Sequence, residues 1–158
     1  MNPYLIDSPH AVARLLALAV TIDGVPSDVE LRTLEQRGVL QALRLSRDDF
    51  DDVMDALCAD LRQSTPTDRR GFRSLGRSQI RAMLDEIQAP ALQREVAALL
   101  FDIFSSDHRL VRAESILLWD ALDHWGLHLR EVSGLIRSSA SSSRLLDEAC
   151  FTRRVVPV

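Results

Sequence analysis

The chain contains no lysine at all: every one of its 19 basic residues is an arginine. Either cation serves a solvated face, so this reads as codon bias in the source genome rather than as mechanism. Cysteine is nearly absent. Cys58 and Cys150 stand outside any CxxC or His-spaced pattern, which signals neither a zinc site nor a redox pair, and both are read as reduced thiols. Glycine and proline number 6 each and aromatic residues make up 5% of the chain, which excludes collagen-like and disordered compositions. No uninterrupted apolar run is longer than Leu15–Val20, far short of the ~20 residues that span a bilayer. With no membrane span and no export signal in view, a cytoplasmic protein is expected. There is also no basic excess. The net charge of -4 argues against a surface that tracks nucleic acid, because a domain-wide positive balance is the usual footprint of such binding.

What is present is an ordinary globular composition, 46% hydrophobic and 27% charged over 158 residues. That length suffices to take roughly 70% of the unfolded surface out of water in one domain. Apolar residues return at three and four positions almost everywhere and nowhere alternate over strand length, so the fold class is all-α, a compact bundle of about seven helices. The first helix opens at Ser8-Pro9 and runs to about Ile22, with Val12, Leu15, Leu16, Ala19 and Ile22 as its inner stripe. Ala11 and Leu18 widen that stripe enough to make this a central helix.

The turn Asp23-Gly24-Val25-Pro26 precedes a capping box, Ser27 with Glu30, that opens the second helix. A third begins at Ser46 with Asp48 and Asp49 in its first turn, where carboxylates suit the positive end of the helix dipole. Further helices are expected over about 78–88, from Pro90 through Phe104, over 112–125 and over 130–137. Between them, 62–77 interleaves Arg62, Arg69, Arg70, Arg73 and Arg77 with Gly71 and Gly76 and reads as a loop. The run Ser138 to Ser143 is a low-complexity spacer before a tail.

Sliding the chain against itself by 84 residues aligns Ala13, Leu15 and Leu16 with Ala97, Leu99 and Leu100 without a gap. The same offset places Asp23 on Asp107, Glu30 on Glu114, Leu34 on Leu118, and Leu43-x-Leu45 on Leu127-x-Leu129. These identities exceed the roughly two or three that composition gives by chance. They imply an internal pseudo-two-fold repeat, 11–61 and 95–137, joined by the Arg-rich loop and helix 78–88. The helical domain then covers 1–137 and the spacer and tail 138–158.

An Ala-rich helix followed by Asp23-Gly24 and, seven residues after the aspartate, Glu30 resembles the signature of the tellurite-resistance TerB-like domains. Asp107 to Glu114 is similar to that family's second acidic hairpin, except that His108 replaces the glycine and Val111 the serine, so the second copy keeps only its carboxylates. The resemblance implies a non-enzymatic bacterial stress-response domain whose acidic cluster binds a divalent metal. It also implies kinship with the corresponding domain of a membrane-anchored DnaJ-like co-chaperone.

On this reading the metal ligands are Asp23, Glu30, Asp107 and Glu114, four carboxylates that repel one another unless a hard divalent cation joins them. The competing reading is structural: the aspartates order their turns and Glu30 closes the capping box. An EF-hand is excluded, since Val25 and Leu34 occupy positions three and twelve from Asp23.

Asp120 and His124, one turn apart, read as a surface ion pair, and His10 shows no partner. No glycine-framed serine, cysteine with a matching histidine or phosphate loop is present, so neither an enzyme nor an organic cofactor is expected. The alternative function is a protein-interaction adaptor or co-chaperone-like module that meets another protein through the Arg loop or the tail.

Overall fold

The computed structural model describes residues 3–22, 28–64, 76–105 and 112–138. Among the described residues the chain is all-helical: α1 (Pro9–Thr21), α2 (Asp28–Gln36), α3 (Val39–Ala42), α4 (Arg47–Ser64), α5 (Arg77–Leu84), α6 (Pro90–Ser105), α7 (Arg112–Trp125) and α8 (Leu129–Ser138). The Arg-rich stretch from 65 to 75 and the serine spacer from 139 onward lie outside the described residues.

Local chemistry starts the helices where the sequence places them. Ser8 accepts the Ala11 N–H at 3.2 Å while Pro9, which has no N–H to leave unpaired, takes the first helical position. At the start of α4, Ser46 and Asp49 form a reciprocal cap: the Asp49 N–H donates to Ser46 Oγ at 3.1 Å and the Ser46 N–H to Asp49 Oδ2 at 2.8 Å. The Ser46 hydroxyl, which also donates to Oδ2, and then the Ser46 N–H hold the Asp49 carboxyl below the usual carboxylate range. The outward face of α4 carries Asp48, Asp51, Asp52 and Asp55, all exposed.

Two departures from the expected boundaries have physical causes. Helix 78–88 is observed as Arg77–Leu84, because the following residues are recruited elsewhere: the Gln88 and Ala89 N–H groups donate to Asp7, and Ala89 precedes a proline, which disfavours helical backbone. Between the second helix and the one at Ser46, Val39–Ala42 forms the short α3 after Gly38, whose φ is 62°.

Two helices make the centre. Every residue of α1 from Ala11 to Val20 is buried, and the helix packs against α4, α5 and α6. The second, α6, buries Leu92, Val96, Ala97, Leu100, Ile103 and Phe104 and packs against α1, α2, α7 and α8. Because α1 is surrounded, Arg14 is carried into the interior at 3% exposure. There it forms an ion pair with Glu86, itself 7% exposed, in the connector between α5 and α6.

The single 84-residue register expected for the repeat does not survive in the hydrogen bonding. Helices α2 and α7 begin 84 positions apart, but the helix closures that follow are 82 apart. At the first closure, Arg44 adopts a φ of 56° and the Leu45 N–H reaches back to the Leu40 carbonyl at 2.9 Å. At the second, Gly126 has a φ of 64° and the Leu127 N–H reaches the Leu122 carbonyl at 2.9 Å. The next caps keep that spacing: the His128 N–H donates to Glu131 as the Ser46 N–H does to Asp49. The first run therefore holds two more residues, absorbed where α2 stops at Arg37-Gly38, whereas α7 is continuous. Leu45 thus matches Leu127 rather than Leu129, which is 36% exposed.

Two outcomes follow. Nothing lies within contact of a Cβ added at Gly126, so Gly126→Ala tests its left-handed backbone alone. It should cost about 1 kcal/mol and lower Tm by about 2–4 °C, with Arg44→Gly shifting Tm the other way. Removing one buried charge leaves the other uncompensated, so Arg14→Leu should destabilise by about 3–5 kcal/mol, and adding Glu86→Leu should recover most of that loss in a denaturant melt.

Candidate functional site

The four carboxylates of the acidic hairpins are unequally described. Asp23 and Asp107 lie outside the described residues, and Glu30 lies on the first turn of α2 with its side chain outside them. Glu114 is placed in full: it sits in the first turn of α7 at 2% exposure, an uncommon depth for a carboxylate. No three His, Cys, Asp or Glu side chains gather as a metal cage among the described residues.

The tie between the two acidic helices and the centre is informative. Arg37, just past the end of α2, pairs with Asp102 near the end of α6, the helix from which the chain passes to α7. Burial raises the Asp102 carboxyl and the Arg37 guanidinium opposes that rise. Glu30 stands seven residues before Arg37, which along a helix is about 10 Å. The Arg37–Asp102 pair therefore joins the far end of α2, not its acidic opening, to α6.

Other polar residues take partners that sequence proximity does not suggest. Asp120 and His124 do not pair with each other. His124 Nε2 lies 2.9 Å from Asp85 Oδ1, and Arg77 Nη2 lies 3.3 Å from Asp120 Oδ1, so both contacts clasp α7 to the two ends of α5. Trp125 adds a third, its indole N–H donating to the Leu84 carbonyl at 3.3 Å. His10 does have a neighbour, the Tyr4 ring, at 5.7 Å between centroids. A surface depression lined by Leu31, Leu34, Leu40 and Phe50 beside the Arg47–Glu35 ion pair is shallow and apolar.

Two features escaped the sequence reading. One is the set of contacts around Arg14 and Glu86. Its signal is a lone arginine within the apolar first helix, where it reads as an ordinary interruption. The other is Glu95, at 9% exposure on the central α6, with Oε2 buried and without a hydrogen bond among the described residues. Burial pushes its carboxyl up from 4.5 to about 7. Among the described residues no helix is long and apolar enough to cross a membrane.

The Glu95 environment has a definite pH signature. Its folded carboxyl holds a proton that the unfolded one releases near 4.5, so the folded state binds more protons across the interval up to about 7. Stability is greatest below the unfolded value and falls as pH rises through the folded one, by roughly 3 kcal/mol at most. Glu95→Gln should flatten that fall and raise Tm at pH 8 relative to the parent chain. Thermal melts of both proteins from pH 5 to 8 check it, and parallel curves would refute it.

Compared with protein-family models, with curated proteins and with solved structures, the chain gives no match, so its site rests on its own geometry.

Proposed function

We propose that the chain is a TerB-like, non-enzymatic stress-response domain in which the carboxylates opening α2 and α7 take a divalent cation. The observation that carries this reading is Glu114, a carboxylate 2% exposed in the first turn of α7, with Glu30 in the corresponding turn of α2. Glu114 already has a partner within the fold, so the reading rests on where its oxygens stand and not on an unmet charge. Oxygen donors of this kind suit calcium or magnesium, and the preceding aspartates, Asp23 and Asp107, would complete each hairpin's donor set. The reading takes the two acidic hairpins as a pair, Asp23 and Glu30 with Asp107 and Glu114.

A second reading, a protein-interaction adaptor with purely structural carboxylates, is favoured by a different observation. Ile116 and Trp119 are 43% and 61% exposed on α7, in an outward stripe with Arg112 and Asp123. One of the chain's two tryptophans facing water fits a surface that another protein covers. Neither reading involves an organic cofactor, nucleic acid or a membrane span, and both place the protein in the cytoplasm.

Demetallated protein should gain stability with the logarithm of free cation, about 2.7 kcal/mol at a hundredfold excess over Kd, or roughly 5–10 °C in Tm. Melting curves with calcium, magnesium, manganese and zinc measure this. Glu114→Gln should remove the part due to the second hairpin, and Glu30→Gln the part due to the first. No shift with any of the four ions at millimolar concentration refutes the cation site and leaves the adaptor reading.

A further inference from the structure

The segment Pro3–Ser8 is not packed on the bundle in the usual sense. Leu5 and Ile6, its aliphatic residues, are 82% and 56% exposed. What holds it is polar and directional. The Tyr4 N–H donates to Glu86 Oε1 at 3.2 Å, and the Asp7 N–H donates to the Glu86 carbonyl at 2.7 Å. In return, Asp7 Oδ1 accepts the Gln88 and Ala89 N–H groups at 2.7 and 3.0 Å. The Tyr4 ring lies under the Arg14 guanidinium, 4.6 Å from its carbon to the ring centroid, a cation–π contact on a cation that Glu86 already fixes.

These contacts have the form of peptide recognition. Main-chain donors three residues apart meet acceptors of one glutamate, an aromatic ring meets a fixed guanidinium, and a carboxylate meets two converging N–H groups. Two of the recognised side chains, Tyr4 and Asp7, are anchored, while the two between them touch water. Asp7 also holds a φ of 56°, a left-handed backbone that costs an L-residue some free energy, though aspartate less than most. A segment that buries little apolar surface and carries backbone strain belongs to the easily opened end of the stability range.

We propose that the connector 85–89 together with Arg14 is a docking groove for a protein segment of the form aromatic-x-x-Asp, filled in this chain by its own Tyr4–Asp7. Arg14 and Glu86 pair with each other, so no bare charge is left when the segment leaves, and the Gln88 and Ala89 N–H groups stay open to another carboxylate in place of Asp7. A segment supplied by another chain can therefore replace Tyr4–Asp7 contact for contact. The resident segment acts as a tethered competitor that lowers the apparent affinity by the fraction of molecules in which the groove is open. This inference is independent of any cation at the acidic hairpins.

The test uses the full chain with the resident segment loosened and a labelled, end-blocked peptide spanning residues 2–8. Asp7→Ala removes the carboxylate, and Tyr4→Ala, a second opened variant, removes the ring contact. Fluorescence anisotropy should give saturable binding to either variant, at least about tenfold tighter than to the parent chain, whose groove is occupied. Changing the peptide rather than the protein keeps the fold out of question: the Tyr4→Ala and Asp7→Asn peptides should each bind at least about tenfold more weakly. No saturable binding to either opened variant, equal binding to the parent chain, or indifference to both peptide changes overturns the proposal.

Discussion

Much of this architecture follows from one charge that the chain buries. Helix α1 is enclosed along its length, so Arg14 cannot reach water and must be neutralised inside. Glu86 does so from the connector between α5 and α6, 72 positions away in the chain. That fixes the path of the connector, which sets where α6 begins, and α6 is the second axis of the bundle. The same carboxylate holds the Tyr4 N–H, so the segment before α1 is referred to the same point. Replacing such a pair by apolar residues is often tolerated energetically, whereas losing one member is not. Its value therefore lies in setting position as much as in adding stability.

The two central helices handle polar atoms differently. In α1 the buried charge is met by its opposite. In α6, Oε2 of Glu95 meets no hydrogen-bond donor among the described residues, and burial raises its carboxyl to about 7, which favours the protonated form, the other means by which a buried carboxyl avoids an uncompensated charge. Further along the same helix, Asp102 remains close enough to the surface for Arg37 to reach it. Three acid–base environments thus arise from one core through depth and the nearness of a guanidinium.

What was legible in the sequence was what is decided within a few residues. Ser8-Pro9 and Ser46 with Asp49 start helices by chemistry local to each, and the apolar period of α1 and α6 marks both as central. The boundary near Gln88 was not legible, because the bonds that divert it come from Asp7, on the other side of α1 in the chain. Nor was the partner of His124, since an adjacent carboxylate on the same helix is a natural assignment until α5 is packed alongside. The two-residue offset between the runs is hidden for another reason: leucine is so frequent here that a wrong register still finds leucines to match. Of the acidic hairpins, the sequence names four carboxylates, and the described structure adds the depth of only Glu114.

The acidic outer face of α4 has an effect beyond its own helix. Asp48 and Asp52, like Asp51 and Asp55, stand one turn apart with the same sign, a small cost partly offset by the Arg47–Asp51 pair at 3.5 Å and by the helix dipole at Asp48. What it gains is a directional field. An approaching body with a basic surface is drawn toward this side of the molecule, while another copy presenting its own α4 is slowed. Both effects shrink as added salt shortens the distance over which the charges are felt, about 8 Å at physiological ionic strength. The rate and orientation of encounters on this side are therefore set by ionic strength before any contact forms.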